Sequence, residues 1–461
     1  MTGGRADLLV RGGTIVTPAG ERRADIACRA GVIVEVGPDL GGETAVELDA
    51  TGLHVLPGLV DPHVHLNEPG REDWEGFATG SRALAAGGVT TFCDMPLNST
   101  PPTTGAAAFQ RKVARATGTA LVDFGLWGGL VPDNRRELPE LAALGVVAFK
   151  AFMSASGVDD YPAVDDLALY EGLVAAAGTG VPVGVHAESD VMTGGLAARA
   201  RAEGRCGARD YCRSRPIVAE VEAITRAACL AAEAGARLHV LHVSSPQGVD
   251  AARRWRGVGT DVTVETCPHY LTLTEDDVVR LGPVAKCAPP LRGAAEVEGL
   301  WQRLAEGVID MVVSDHSPAP PALKAPPGDD FFAAWGGISG AQSTLPVLLT
   351  EGYWGRRVPL GRLVEVTATN PARRFGLFPR KGQIAVGADA DLALVDLDRE
   401  FRLEAADLWY RHPHSPYVGR TFRGAVVVTV SRGRVVYRTG RIEGLPDGRL
   451  LPRRGKELAH A

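Results

Sequence analysis

Seven cysteines are spread over 461 residues, and no two of them form a CxxC pair. That spacing excludes a disulfide scaffold and a zinc ribbon. No apolar run reaches the ~18 residues that a membrane-crossing helix needs. The opening Met1-Thr2-Gly3-Gly4-Arg5-Ala6-Asp7 lacks the basic-then-apolar segment of a secretory signal, so a cytoplasmic location is expected. Basic charge is not in excess: 49 Lys and Arg stand against 55 Asp and Glu, for a net charge of -6. A mildly acidic chain lacks the footprint that phosphate backbones and anionic lipids require, so no nucleic acid and no membrane surface is expected as a partner. No GxGxxG fingerprint follows an apolar run, which argues against a dinucleotide-binding open sheet. Internal repeats and low-complexity tracts are also missing.

What the chain does have is apolar content, 45% of its residues, enough for a sizeable core. Its 56 glycines suit many tight strand-to-helix turns. Short β-like runs at 7–11, 13–17, 23–29 and 32–36 are separated by turn residues, which suggests a small β unit. From about residue 53 the rhythm changes. Eight apolar runs (53–65, 88–95, 121–130, 146–153, 181–188, 238–245, 262–269 and 311–317) alternate with Ala- and Leu-rich helical stretches. Strands alternating with helices imply parallel βαβ units, and eight of them imply a (β/α)8 barrel; a doubly wound sheet is the structural runner-up. Strand-like runs return at 382–385, 391–396, 425–430 and 435–437. The expected organisation is α/β: residues 1–54 and 378–451 form one small β domain, 55–377 a TIM-like barrel, and 452–461 a polar tail.

The residues that could carry chemistry fall at the C-terminal ends of these runs, the active-site face of such a barrel. The first run ends Asp61-Pro62-His63-Val64-His65. Residues i and i+2 of a strand share a face, so both imidazoles can hold one metal, or they can be hydrogen-bonded strand-end histidines. The fifth run ends in His186-Ala187-Glu188, the sixth in His242-Val243-Ser244-Ser245 and the eighth in Ser314-Asp315-His316-Ser317. His239, three residues before His242, is expected to face away from the site as a packing or surface residue. Lys150 stands among Ala148, Phe149, Ala151 and Phe152. Either its stem is buried with the ammonium in water, or desolvation lowers its pKa and frees the amine to react, for example with CO2 to give a carbamate.

Asp61-Pro62-His63-Val64-His65, Lys150, His186, His242 and Asp315, together with Gly387-Ala388-Asp389-Ala390-Asp391-Leu392, resemble the cyclic amidohydrolases of the amidohydrolase superfamily over nearly the whole chain. Dihydroorotases, dihydropyrimidinases or hydantoinases, and allantoinases belong there. The resemblance implies two divalent metal ions, zinc first, with cobalt, nickel, manganese or iron as alternatives. It assigns His63, His65 and Asp315 to one ion, His186 and His242 to the other, and N6-carboxylated Lys150 to both. Asp315 is implied as the general base for a metal-activated water. Homotetramers are common in these families.

After His65 the chain reads Leu66-Asn67-Glu68-Pro69-Gly70-Arg71, with Asn67 where dihydroorotases usually carry Arg. An Arg fork matches a carboxylate, whereas Asn is neutral and can meet a ureido group with both a donor and an acceptor. Asp94-Met95-Pro96-Leu97-Asn98-Ser99, Glu265-Thr266-Cys267-Pro268-His269-Tyr270, Lys286-Cys287-Ala288-Pro289-Pro290 and Trp335-Gly336-Gly337-Ile338-Ser339 are similar to allantoinase segments. Dihydropyrimidinases typically place a tyrosine soon after the metal-bridging lysine; here Ser154-Ala155-Ser156 occupies that loop. The resemblance therefore implies that allantoin is the small-molecule substrate, with Asn67, Asn98, His269, Cys287 and Ser339 as substrate-binding candidates. The alternative is a hydantoinase or dihydropyrimidinase, and behind it a dihydroorotase or a non-catalytic scaffold relative.

Overall fold

The computed structural model describes residues 5–325, 328 and 330–453. Eight parallel strands form the central cylinder: β1 (Leu59–Val64), β2 (Val89–Asp94), β3 (Asp123–Leu126, continued by Gly128–Gly129), β4 (Phe149–Phe152), β5 (Val183–His186), β6 (Leu238–Val240), β7 (Val262–Thr266) and β8 (Met311–Val312). Each pairs in parallel with the next, from β1–β2 through β7–β8. Beyond β8, His316 bridges in parallel to Val64, and the His65 amide donates to the His316 carbonyl at 2.8 Å, which brings the last strand back to the first. The strands are almost wholly buried, as expected where a core lies on one face and helices cover the other. Helices such as Phe77–Ala86, Asp166–Thr179, Ile217–Ala234 and Ala294–Ala305 connect them.

The terminal segments join into one β unit. One sheet has the order Val32–Gly37, Asp25–Arg29, Ala6–Arg11, Thr44–Asp49. The other runs from Arg441–Ile442 through Arg434–Arg438, Thr421–Ser431, Leu392–Arg402, His54–Pro57 and Thr14–Thr17 to Gly20–Arg23. His54–Pro57 pairs antiparallel with the start of Leu392–Arg402, so N- and C-terminal strands share one ladder. Their core includes Leu8, Ile26, Leu392 and Val430. Lys381 links this unit to the barrel: its Nζ lies 2.7 Å from Asp123 at the start of β3 and 2.6 Å from Asp391.

Three local expectations need correction. The run 53–65 is two strands in two sheets, broken at Gly58. A Cβ at Gly58 would lie 2.2 Å from the Thr90 hydroxyl, so only glycine permits the step from the β unit into the cylinder. The run 23–29 also divides between sheets, at the buried Ala24. Residues 382–385 form no strand; Gly382 has φ +81° and the chain turns there. Of the expected tail, the Arg453 amide donates to the Gly145 carbonyl at 3.1 Å, and 454–461 lie outside the described residues. All seven cysteines are free. Among the described residues no helix is long and apolar enough to cross a membrane.

Candidate metal centre

The strand ends converge on one cavity of about 70 Å³. His63, on β1, and His65, just past it, point inward together, as their i, i+2 spacing requires. Lys150 comes from β4, His186 ends β5, His242 lies just past β6 and Asp315 just past β8; all six line the cavity. His242 and Asp315 have φ of +37° and +44°, a backbone region that non-glycine residues rarely occupy and that clusters at functional sites. Here it turns each side chain into the cavity as its strand ends.

The ligand atoms of His63, His65 and Asp315 lie within 4.8 Å of one another. Asp315 Oδ1 is 3.1 Å from His63 Nε2 and 3.4 Å from His65 Nε2. On the other side, His186 Nδ1 and His242 Nε2 face each other at 3.2 Å. With Glu188 engaging His186 Nε2, the His186 Nδ1 lone pair is free to accept from His242 Nε2 or to meet a cation. Lys150 makes no ion pair among the described residues; its Nζ sits 4.4 Å from the Phe152 ring centre. Burial pushes the Lys150 amine down to about 8, against the pull of Asp315 and Glu265. Burial likewise lowers His65 to about 4. For Asp315 burial acts upward, yet the surrounding imidazoles hold the carboxyl well below its ordinary value. Burial also lowers His186 and His242, whereas at His63 the charges of Asp315 and Glu265 outweigh burial and raise the imidazole to about 9. A site that draws a proton onto His63 between two carboxylates, with three neutral imidazoles and a desolvated amine around the same space, offers a donor set that fits divalent cations.

Two carboxylates outside the candidate set, Glu265 and Glu188, hold the imidazoles from behind. Glu265, on β7, lies 2.5 Å from His63 Nδ1 and 2.9 Å from His239 Nε2. His239 is therefore neither on the surface nor plain packing: it is buried against this carboxylate. Burial would raise Glu265, but His63 and His239 outweigh it and hold the carboxyl at about 2. Glu188 lies 2.8 Å from His186 Nε2 and is itself bound by Arg215 at 2.6 Å. Such partners fix the tautomer and the orientation of a ligating histidine. The sequence signal for Glu188 is its place two residues beyond His186; for Glu265 it is a charged residue inside an otherwise buried strand.

The five substrate-side candidates divide. Asn98 and Cys287 line the cavity, with Leu97, Ala288, Ser317 and Trp335-Gly336-Gly337. The Asn98 amide is 3.4 Å from His65 Nδ1, and the Cys287 carbonyl accepts from the Tyr211 hydroxyl at 2.9 Å. Asn67, His269 and Ser339 are buried but do not line it. Asn67 donates to the Pro318 carbonyl at 3.4 Å. The Ser339 carbonyl accepts from the Ser415 hydroxyl at 2.6 Å. Both His269 ring nitrogens lack hydrogen bonds among the described residues, and one of them groups with Cys267 Sγ and an Asp315 oxygen within 4.8 Å. A roomier cavity of about 450 Å³, bordered by Gln342, Arg399, Trp409 and Tyr437, contains none of the candidate ligands.

A parallel cylinder whose strand-end imidazoles, lysine and aspartate face one cavity is the architecture of a metal-dependent hydrolase. The Amidohydrolase family profile matches residues 54–436, and the chain belongs to that family. Within it, the chain is 54% identical over 446 residues to a Solibacter usitatus protein named allantoinase, covering 97% of both chains. It is 56% identical over 451 residues to a Rubrobacter xylanophilus allantoinase, covering 98% of both. Among solved structures it is similar to an L-hydantoinase (dihydropyrimidinase) from Arthrobacter aurescens, with TM-score 0.95, 38% identity and coverage of 97% of this chain and 100% of that one. A D-hydantoinase from Thermus sp. gives TM-score 0.91 at 31% identity, covering 97% and 99%.

Proposed function

We propose that this chain is a metal-dependent cyclic amide hydrolase that opens the hydantoin ring of allantoin to give allantoate. The observation that carries the reading is the convergence of His63, His65, Lys150, His186, His242 and Asp315 on one cavity. The substrate follows from relatives named allantoinase at 54% and 56% identity over almost the full length. His63, His65 and Asp315 would hold one divalent cation and His186 and His242 a second, with Lys150, as its N6-carboxylated form, serving both. Zinc suits this imidazole and carboxylate set, as do cobalt, nickel, manganese and iron. When bound, such ions polarise a carbonyl and bring the pKa of water towards neutrality.

The chain's own residues do the rest. Glu265 takes the Nδ1 proton side of His63 and leaves Nε2 for the cavity. Glu188 engages Nε2 of His186 and leaves Nδ1 for it. Asp315 accepts the proton of the water that adds to the ring carbonyl, then passes it to the ring nitrogen as the C–N bond breaks. Water is thus consumed, with its hydroxyl on carbon and its proton on nitrogen. Asn98 and the backbone at Cys287 lie where they can bind substrate polar groups. Of the other three candidates, Asn67 bonds to the Pro318 carbonyl, next to Ser317 of that lining. A cytoplasmic homotetramer is the assembly we infer from the family resemblance.

The second reading is a hydantoinase, which the Arthrobacter aurescens neighbour favours. A side-by-side panel of allantoin, hydantoin, dihydrouracil and dihydroorotate with the metal-loaded protein separates the readings. Allantoin should show the highest kcat/KM; faster turnover of hydantoin, dihydrouracil or dihydroorotate overturns the assignment.

A further inference from the structure

One arginine joins three of the loops at the cavity mouth. Arg71 follows β1, and its Nη1 donates to the Asn98 carbonyl, beyond β2, at 2.8 Å. Its Nη2 lies 3.8 Å from Asp160 Oδ2, on the loop beyond β4. The same oxygen accepts from the Thr100 hydroxyl at 3.4 Å, two residues after Asn98. The second and third of these loops line the cavity, through Leu97 and Asn98 and through Ala155 and Ser156. Packing keeps Arg71 in place. Its guanidinium carbon sits 5.4 Å from the centre of the Trp74 ring, which meets Trp335 edge-on at 4.7 Å. The Thr100 amide donates to the Pro69 carbonyl at 2.7 Å. A Cβ at Gly70 would lie 2.7 Å from the Thr100 carbonyl oxygen, so the first two loops touch backbone to backbone beside the arginine.

Asn98 is a residue that needs such a tie. Its φ is +65°, in the left-handed region that crowds a Cβ against the next carbonyl oxygen. Asparagine visits that region most readily when its side chain bonds to nearby backbone. Here the carboxamide instead faces the cavity, with His65 Nδ1 3.4 Å away. Holding the turn therefore falls to the main chain, where the guanidinium meets the Asn98 carbonyl. A hydrogen bond from a charged donor is roughly twice as strong as a neutral one. Arg71 itself does not line the cavity, so its influence on a bound molecule passes through the residue it holds.

We propose that Arg71 is a positioning residue for substrate binding: by holding the Asn98 carbonyl it fixes the left-handed turn that aims the Asn98 carboxamide into the cavity. The claim rests on the reading that Asn98 binds allantoin. A mutant cycle on the full-length, metal-loaded enzyme tests both, with wild type, N98G, R71M and N98G combined with R71M. Glycine removes the carboxamide and accepts the positive φ. N98G alone tests the reading and should raise KM for allantoin about tenfold; an unchanged KM overturns that reading and the proposal with it. R71M should raise KM about fivefold with kcat within about threefold of wild type, because the reacting groups are untouched. In the N98G background the same change should move KM less than about twofold, since the residue it acts through has lost its side chain. A merely structural arginine would cause the same loss in both backgrounds. With KM raised in N98G, an unchanged KM in R71M, or an equal rise in both backgrounds, overturns the proposal alone. Should R71M fail to fold, R71K, which keeps the charge but not the fork, goes through the same cycle. Its expected rise is about threefold in wild type and none in N98G, and the same two outcomes overturn the proposal.

Discussion

Exchanging Glu265 for Gln removes one charge from behind the cavity and leaves the shape almost unchanged. In the wild type a single buried carboxylate meets His63 Nδ1 at 2.5 Å, His239 Nε2 at 2.9 Å and the His242 amide at 3.2 Å. Hydrogen bonds to a charged group contribute about 1.5–3 kcal/mol each. If the bond to His63 alone is weakened by that amount, cation affinity should fall about 10–100-fold, since ~1.4 kcal/mol is a factor of ten. Partners of this kind in other metal sites have effects of about that size. The assay is competition for zinc against a chromophoric chelator, with circular dichroism to confirm folding. Glu265→Ala should lose more than E265Q, because it also leaves His239 without its acceptor. A folded E265Q protein that binds zinc within about twofold of wild type would refute the reasoning.

Asp315→Asn keeps the side-chain volume but cannot take a proton. At saturating metal, kcat on allantoin should fall about 10²–10⁴-fold, far more than KM changes. A small kcat effect in steady-state assays would remove Asp315 from the proton path. Lys150→Ala should abolish turnover, with partial recovery when a short carboxylic acid is added; an unmodified Lys150 mass in active, metal-loaded protein would contradict the carbamate. Lys381→Met leaves Asp123, Asp389 and Asp391 short of a cation at the junction of the two units. Denaturant unfolding should show a loss of about 3–5 kcal/mol, and a loss below about 1 kcal/mol would mean that the cluster does not hold the junction.

The cylinder is legible in the sequence because parallel strands are buried on both faces and read as short apolar runs between helices. The ligands are legible because charged and imidazole groups at the ends of such runs have few other reasons to be there. Lys150 stands out for the same reason, as a charge in an apolar strand. The break at Gly58 is hidden because His54–Pro57 and β1 are both largely buried, and what ends one and begins the other is contact with Thr90. Glu265 is hidden because its histidine partner on β1 lies 202 residues away, a pairing that only the closed cylinder creates. His239 misleads because its spacing from His242 does put it off the cavity, yet Glu265 reaches behind the site to meet it. Ser339 misleads by proximity: the chain touches the cavity at Trp335 to Gly337, where Gly337 packs against Ser317, and then turns away to meet Ser415.

The most direct measurement is the rate of allantoate formation as zinc is returned, in known equivalents, to protein stripped by a chelator. The rate should be negligible without metal, rise with added zinc and level off at two equivalents per chain. No allantoate at any loading, or full activity with the metal removed, would contradict the claim that these six side chains hold the ions that open the ring.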